Sequence, residues 1–153
     1  MKKIFLFVAI AALGLTSCSS DDNSSNSNNP SVIQGNVQSG TWKITNFNDS
    51  GNDETYHFNG FSFTFHSSGV LTATNGTVTH NGNWSITNDS SNDDDNSNGS
   101  SDIDFNIYFA PTIPHFEELT EDWDIISQST TKIQLRHVSG GDGSVDNLTF
   151  EKN

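Results

Sequence analysis

Residues 61–65 read FSFTF, and residues 102–109 read DIDFNIYF. In the first, Phe61, Phe63 and Phe65 fall on one side and Ser62 and Thr64 on the other. In the second, Ile103, Phe105, Ile107 and Phe109 oppose Asp102, Asp104, Asn106 and Tyr108. A strict period of two is the pattern of a β-strand with one dry and one wet face, and such strands pair antiparallel. The stretch KIQLRHV at 132–138 repeats it, with Ile133 and Leu135 opposite Lys132, Gln134 and Arg136.

Turn residues separate these runs. SSG at 67–69 and NG at 75–76 predict hairpin turns. A second NG, at 81–82, lies where Trp84 and Ile86 resume the alternation at once, so it predicts a bulge inside one longer strand. Eight strands follow, at 41–48, 60–66, 69–75, 77–88, 102–109, 122–128, 131–138 and 145–151. PHFEEL at 114–119 predicts a short helix before the sixth, with Pro114 in its first turn and glutamates at its positive end. The fold class is therefore all-β. Eight consecutive antiparallel strands with one apolar face close naturally into an up-and-down barrel, which removes exposed edges. A two-sheet sandwich is the alternative. A transmembrane barrel is disfavoured, because the second face is Ser, Thr, Asn and Asp rather than apolar.

Upstream of the strands the chain changes character. MKK is a basic start, and Ile4 to Leu15 is an apolar run of twelve residues. That run is too short for a comfortable bilayer span and suits the core of a signal peptide. It ends in Leu15-Thr16-Ser17-Cys18, and Cys18 is the only cysteine. This stretch resembles the bacterial lipobox. The resemblance implies a signal peptide at 1–17, cleavage before Cys18, and acylation of its thiol as the attachment to a lipid bilayer. Two acyl chains anchor stably where one is marginal. Ser19, rather than an Asp, directly after the cysteine resembles an outer-membrane address, and the acidic pair Asp21 and Asp22 just beyond is similar to the export signal that carries Bacteroidota lipoproteins to the cell surface. Residues 18–39, rich in Ser, Asn and Asp, are expected to form a disordered tether with a reach of roughly 25 Å.

Composition narrows the partners. Formal net charge is −13, and removal of Lys2 and Lys3 with the leader makes it −15. So acidic a chain disfavours nucleic acid and anionic headgroups, both of which need Lys and Arg. A single cysteine excludes an internal disulfide.

GTWKIT at 40–45 resembles the Gly-x-Trp signature of the first lipocalin strand. GNWSIT at 82–87 and DWDIISQSTTKIQLRH at 122–137 are similar to later strands of bacterial lipocalin-like lipoproteins. The resemblance covers most of 40–153, and it rests on the order and spacing of short motifs. Avidin-type barrels also begin with Gly-Thr-Trp. A lipocalin-like barrel implies that Trp42 closes one end above Gly40, with Arg136 as the candidate cation packed across it. Strand parity places Arg136 on the wet face, against that role. The resemblance also implies an apolar pocket for a small hydrophobic ligand, lined by Phe61, Phe63, Phe65, Trp84, Phe105, Trp123 and Leu135. The alternative is that these bulky side chains fill a small barrel, which then offers its loops to a protein or glycan.

Chemistry is hard to find. The five histidines show neither H-x-H nor H-E-x-x-H spacing, and a zinc set from His57, His66 and His80 would need neighbouring strands to converge. No G-x-S-x-G elbow is present. Asp94, Asn96 and Asn98 begin a calcium-loop pattern, but Phe105 stands where its bidentate glutamate belongs, so they are a weak Ca²⁺ candidate only; a disordered hairpin tip is the simpler reading and no metal is expected. Glu117, Glu118, Glu121, Asp122 and Asp124 read as a solvated helix and strand start. No cofactor and no enzymatic activity are expected.

Overall fold

The computed structural model describes residues 29–89 and 102–153. Cys18, the leader and the Asp94-Asn96-Asn98 stretch lie outside the described residues. The strands run β1 (Trp42–Asp49), β2 (Asn52–Asp53), β3 (Ser62–Phe65), β4 (Val70–Thr74), β5 (Thr79–Asp89), β6 (Asp102–Tyr108), β7 (Glu121–Gln128), β8 (Lys132–Val138) and β9 (Val145–Lys152). All pair antiparallel, and β3 to β9 follow one another in chain order. β9 then pairs with β1, Trp42 opposite Lys152 and Asn48 opposite Asn147, while β1 meets β3 through Trp42 opposite Phe63. That closes an eight-stranded barrel and rules out the sandwich; β2 is a two-residue hairpin arm on β1.

The alternation that defines the strands also defines the core. Phe63, Phe65, Leu71, Phe105, Ile107, Trp123, Ile133, Leu135, Leu148 and Phe150 point inward and are buried. Two departures from regular pairing interrupt the ladder, one between Ile44 and Asn46 and one between Ile125 and Ser127. The second turns Ile126 out, leaving it 57% exposed. At Asn81-Gly82 the expected bulge is absent from the pairing with β4: Leu71, Gly82 and their neighbours keep one register. Glycine serves close approach there. A Cβ at residue 82 would run into the Tyr108 carbonyl oxygen and lie 2.9 Å from the Phe109 ring.

Two further expectations are corrected. The tether does not extend to Ser39: Pro30–Gln38 is a helix, α1. Asn29 caps it by accepting from the Ser31 amide at 3.0 Å, and Pro30 opens its first turn. Ile33 and Val37, four residues apart, share one face and are buried. Second, the helix expected from Pro114 is only a 3₁₀ turn, Glu117–Leu119. His115 has a left-handed backbone, with φ of 66°, and this breaks the chain direction before the turn begins. Phe116 and Leu119 anchor the segment in the core.

Candidate functional site

The barrel has two ends, and each is stoppered from within the chain. At the end where β1 starts and β9 finishes, α1 packs against β3 and β5. Its Asn36 side chain also donates to Gln128 Oε1 at 2.8 Å, at the end of β7. Trp42 lies fully buried there, and its indole N–H donates to the Val37 carbonyl at 2.8 Å. That carbonyl belongs to the last turn of the helix, where intrahelical donors run out. The Lys152 ammonium sits 5.3 Å from the centre of the Trp42 ring and donates to Ser39 Oγ at 2.9 Å. Gly40, with φ of +123°, passes so close that a Cβ would meet Lys152 Cε at 3.0 Å.

Arg136 takes no part in this closure. It is exposed on the outer face, opposite Asp124 and Asn147. Parity explains the correction: Ile133 and Leu135 point inward, so Arg136 points out, whereas Lys152 continues the inward series of Leu148 and Phe150. Parity with Phe150 gives only the inward direction of Lys152; the pairing of β9 with β1 is what brings it to Trp42.

At the opposite end a 3₁₀ turn, Thr55–Phe58, tucks Phe58 between Phe47 and Phe116, at centroid distances of 5.5 and 5.4 Å. Thr55 Oγ1 accepts from the Phe47 amide at 2.8 Å. Thr120 Oγ1 accepts from the Phe109 amide at 2.9 Å, and the Trp123 indole donates to the Leu119 carbonyl at 3.1 Å.

Between the stoppers lie the side chains expected to line a pocket. Phe65 on β3 touches Phe105 on β6 and Phe150 on β9, both at 5.5 Å between ring centres. Phe63 meets Phe150 at 5.4 Å, and Trp123 on β7 meets Phe47 on β1 at 6.5 Å. These strands are not neighbours, so the rings meet across the interior. Trp84 packs on Phe65 at 5.3 Å and donates to the His66 carbonyl at 2.9 Å. Leu135 is buried in the same core, and Phe61 is partly buried at its rim against Phe116, at 5.1 Å. Edge-to-face packing of this kind favours contact between rings.

The outer wall carries concavities of its own. Across β1, β9, β8 and β7, Asn46, Thr149, Gln134 and Ser127 stand in one row. The first three floor a groove of about 660 Å³, bordered by Asn48, Asn147, the Lys132–Glu151 ion pair at 3.3 Å, and Ile126. A smaller hollow, about 340 Å³, lies around Trp84, Ile107 and Tyr108.

The histidines His57, His66 and His80 occupy three separate settings. His57 stacks on His115 with ring centres 3.4 Å apart, and its Nε2 is 2.9 Å from Glu54. His66 lies 3.1 Å from Thr72 Oγ1, and His80 packs on Phe61 and Phe116. Beside the His57–His115 stack, Glu118 is held above the ordinary carboxylate range. Burial is the main cause; His115 opposes it, and Asp49, Glu117 and Glu54 add to it. A raised acid favours the folded state while neutral, and loses that contribution as pH rises above the ordinary value of 4.5. Glu118→Gln should therefore gain stability relative to the parent as pH is raised from 4 toward 7. Denaturant midpoints of the two proteins across that range check it; a constant difference would refute it.

No protein-family model matches the chain, and no curated protein matches it in sequence. Among solved structures it is similar to a DUF4847-family protein from Bacteroides vulgatus, at 17% identity and a TM-score of 0.46, over 79% of this chain and 97% of that one.

Proposed function

We propose that this protein is a lipid-anchored interaction module: a filled barrel held to a membrane through acylated Cys18, which acts through its outer surface rather than through an internal ligand. The observation that supports this reading is the contact of Phe65 with Phe105 and Phe150, rings carried on strands that do not pair with its own. Rings in mutual contact already occupy the space a hydrophobic ligand would take. The groove over Asn46, Thr149 and Gln134 is the larger of the two outer concavities described, and its amides and hydroxyls suit a partner rich in hydrogen-bonding groups, such as a glycan. The anchoring half of the reading rests on the lipobox resemblance and the twelve-residue apolar run before it.

Two measurements test the halves separately. Cys18→Ser should stop the protein partitioning into membranes as a cleaved species; a cleaved variant that stays membrane-bound removes the lipid anchor. Mass spectrometry of the purified parent should find no stoichiometric apolar small molecule. Recovery of one would restore the pocket and overturn the filled barrel.

A further inference from the structure

The barrel end formed by the start of β7, the end of β8 and the start of β9 gathers four polar side chains that no part of the reading above uses. His137 follows the inward parity of β8, lies beside Trp123 with ring centres 6.1 Å apart, and has a side chain only 19% exposed. Its Nε2 is 3.5 Å from Glu121 Oε2 and 3.9 Å from Asp122 Oδ1. The three donor atoms all lie within 4.8 Å of one another. On the other side of the ring, Nδ1 is buried, finds no hydrogen-bond partner among the described residues, and stands 3.5 Å from Asp146 Oδ2.

We propose that Glu121, Asp122 and His137 form a binding site for a divalent transition-metal cation of the zinc class, with Asp146 orienting the imidazole. The mixed donor set decides the class. An imidazole nitrogen with carboxylates suits zinc, whereas calcium takes oxygen ligands. Donors around a tetrahedral zinc at roughly 2.0–2.1 Å stand about 3.3 Å apart. The contact of Nε2 with Glu121, at 3.5 Å, is already close to that, and the one with Asp122, at 3.9 Å, is longer. The remaining closure falls to Asp122, whose side chain is 72% exposed and free to turn inward.

Asp146 supplies what metal-bound histidines commonly have, a carboxylate facing the second ring nitrogen. It is itself fixed: its Oδ1 accepts from the Ser50 amide at 2.8 Å and from the Ser50 hydroxyl at 3.3 Å. Ser50, at φ of 49°, holds the left-handed turn between β1 and β2 that aims this amide. With the proton on Nδ1 facing Asp146, Nε2 keeps its lone pair for a metal. Three carboxylates around one imidazole also leave the cluster short of positive charge, and a divalent cation relieves that. With three protein ligands, a tetrahedral ion keeps one position open to solvent on the Asp122 side.

Calorimetric titration of the full lipidated chain in detergent with Zn²⁺ tests the site. One ion per chain should bind through these residues. Asp122→Asn should weaken that component at least tenfold, and His137→Gln should abolish it. Asp124→Asn removes the same charge from the same strand, on the exposed face opposite Arg136, and should leave it unchanged. Asp122 is exposed, so its variant reports on binding even if His137→Gln disturbs the packing on Trp123. Absence of Zn²⁺ binding overturns the proposal. So does equal weakening by Asp122→Asn and Asp124→Asn, which would mean diffuse attraction by an acidic surface.

Discussion

Trp42→Ala should lower the unfolding free energy by about 3–5 kcal/mol, the range for truncating a large buried aromatic. Two losses combine. The indole leaves a void between the barrel end and α1, where Trp42 is fully buried. The Val37 carbonyl also loses its 2.8 Å donor at the helix end that most needs one. Against a typical total of about 5–15 kcal/mol, the barrel would be left marginal. Trp42→Phe separates the terms: it keeps most of the volume, loses the N–H, and should cost about 1–3 kcal/mol. Denaturant midpoints at constant slope measure both. Equal costs for the two variants would show that the hydrogen bond, and not the packing, holds α1 in place.

Phe65→Ala should cost a similar amount, about 3–5 kcal/mol, for a different reason. Its ring touches Trp84, Phe105 and Phe150 at 5.3–5.5 Å, so its removal hollows the barrel centre rather than its end. An apolar cavity of that kind stays dry and accepts small aromatics. The variant's melting temperature should therefore rise with added benzene, while the parent's does not. A parent protein stabilised by benzene would show that its interior already has room, and the filled-barrel reading would fall.

The strands were legible because each carries its own signal. Period-two alternation is local, and FSFTF or DIDFNIYF states both the strand and its buried face. Barrel closure followed from counting such strands. What escaped was set by contacts distant in sequence. α1 offers only Ile33 and Val37 as anchors, with Gly35 between them, and it stands in a polar tract that reads as tether. Its N-terminal signal, Asn29-Pro30, was present but had no apolar run behind it to mark a helix. The shift at Ile125–Ser127, which exposes Ile126, has no turn residue to announce it. The candidate site was harder still. Trp42 and Gly40 could be placed from one short motif, yet the cation over the ring is Lys152, and only the pairing of Trp42 with Lys152 brings it there. Glu121, Asp122, His137 and Asp146 lie on three strands and show no recognisable spacing, because their meeting is a matter of register.

The closure between β1 and β9 also sets the order in which the barrel can assemble. Every other barrel strand can pair with one formed just before or after it, but Trp42–Asp49 finds its long partner about one hundred residues later, in Val145–Lys152. Such high sequence separation slows folding, because a large loop must close before any contact rewards it. A chain emerging N-terminus first holds β1 with an unpaired edge until the final strand arrives. That edge is the place where two nascent copies would exchange strands or aggregate.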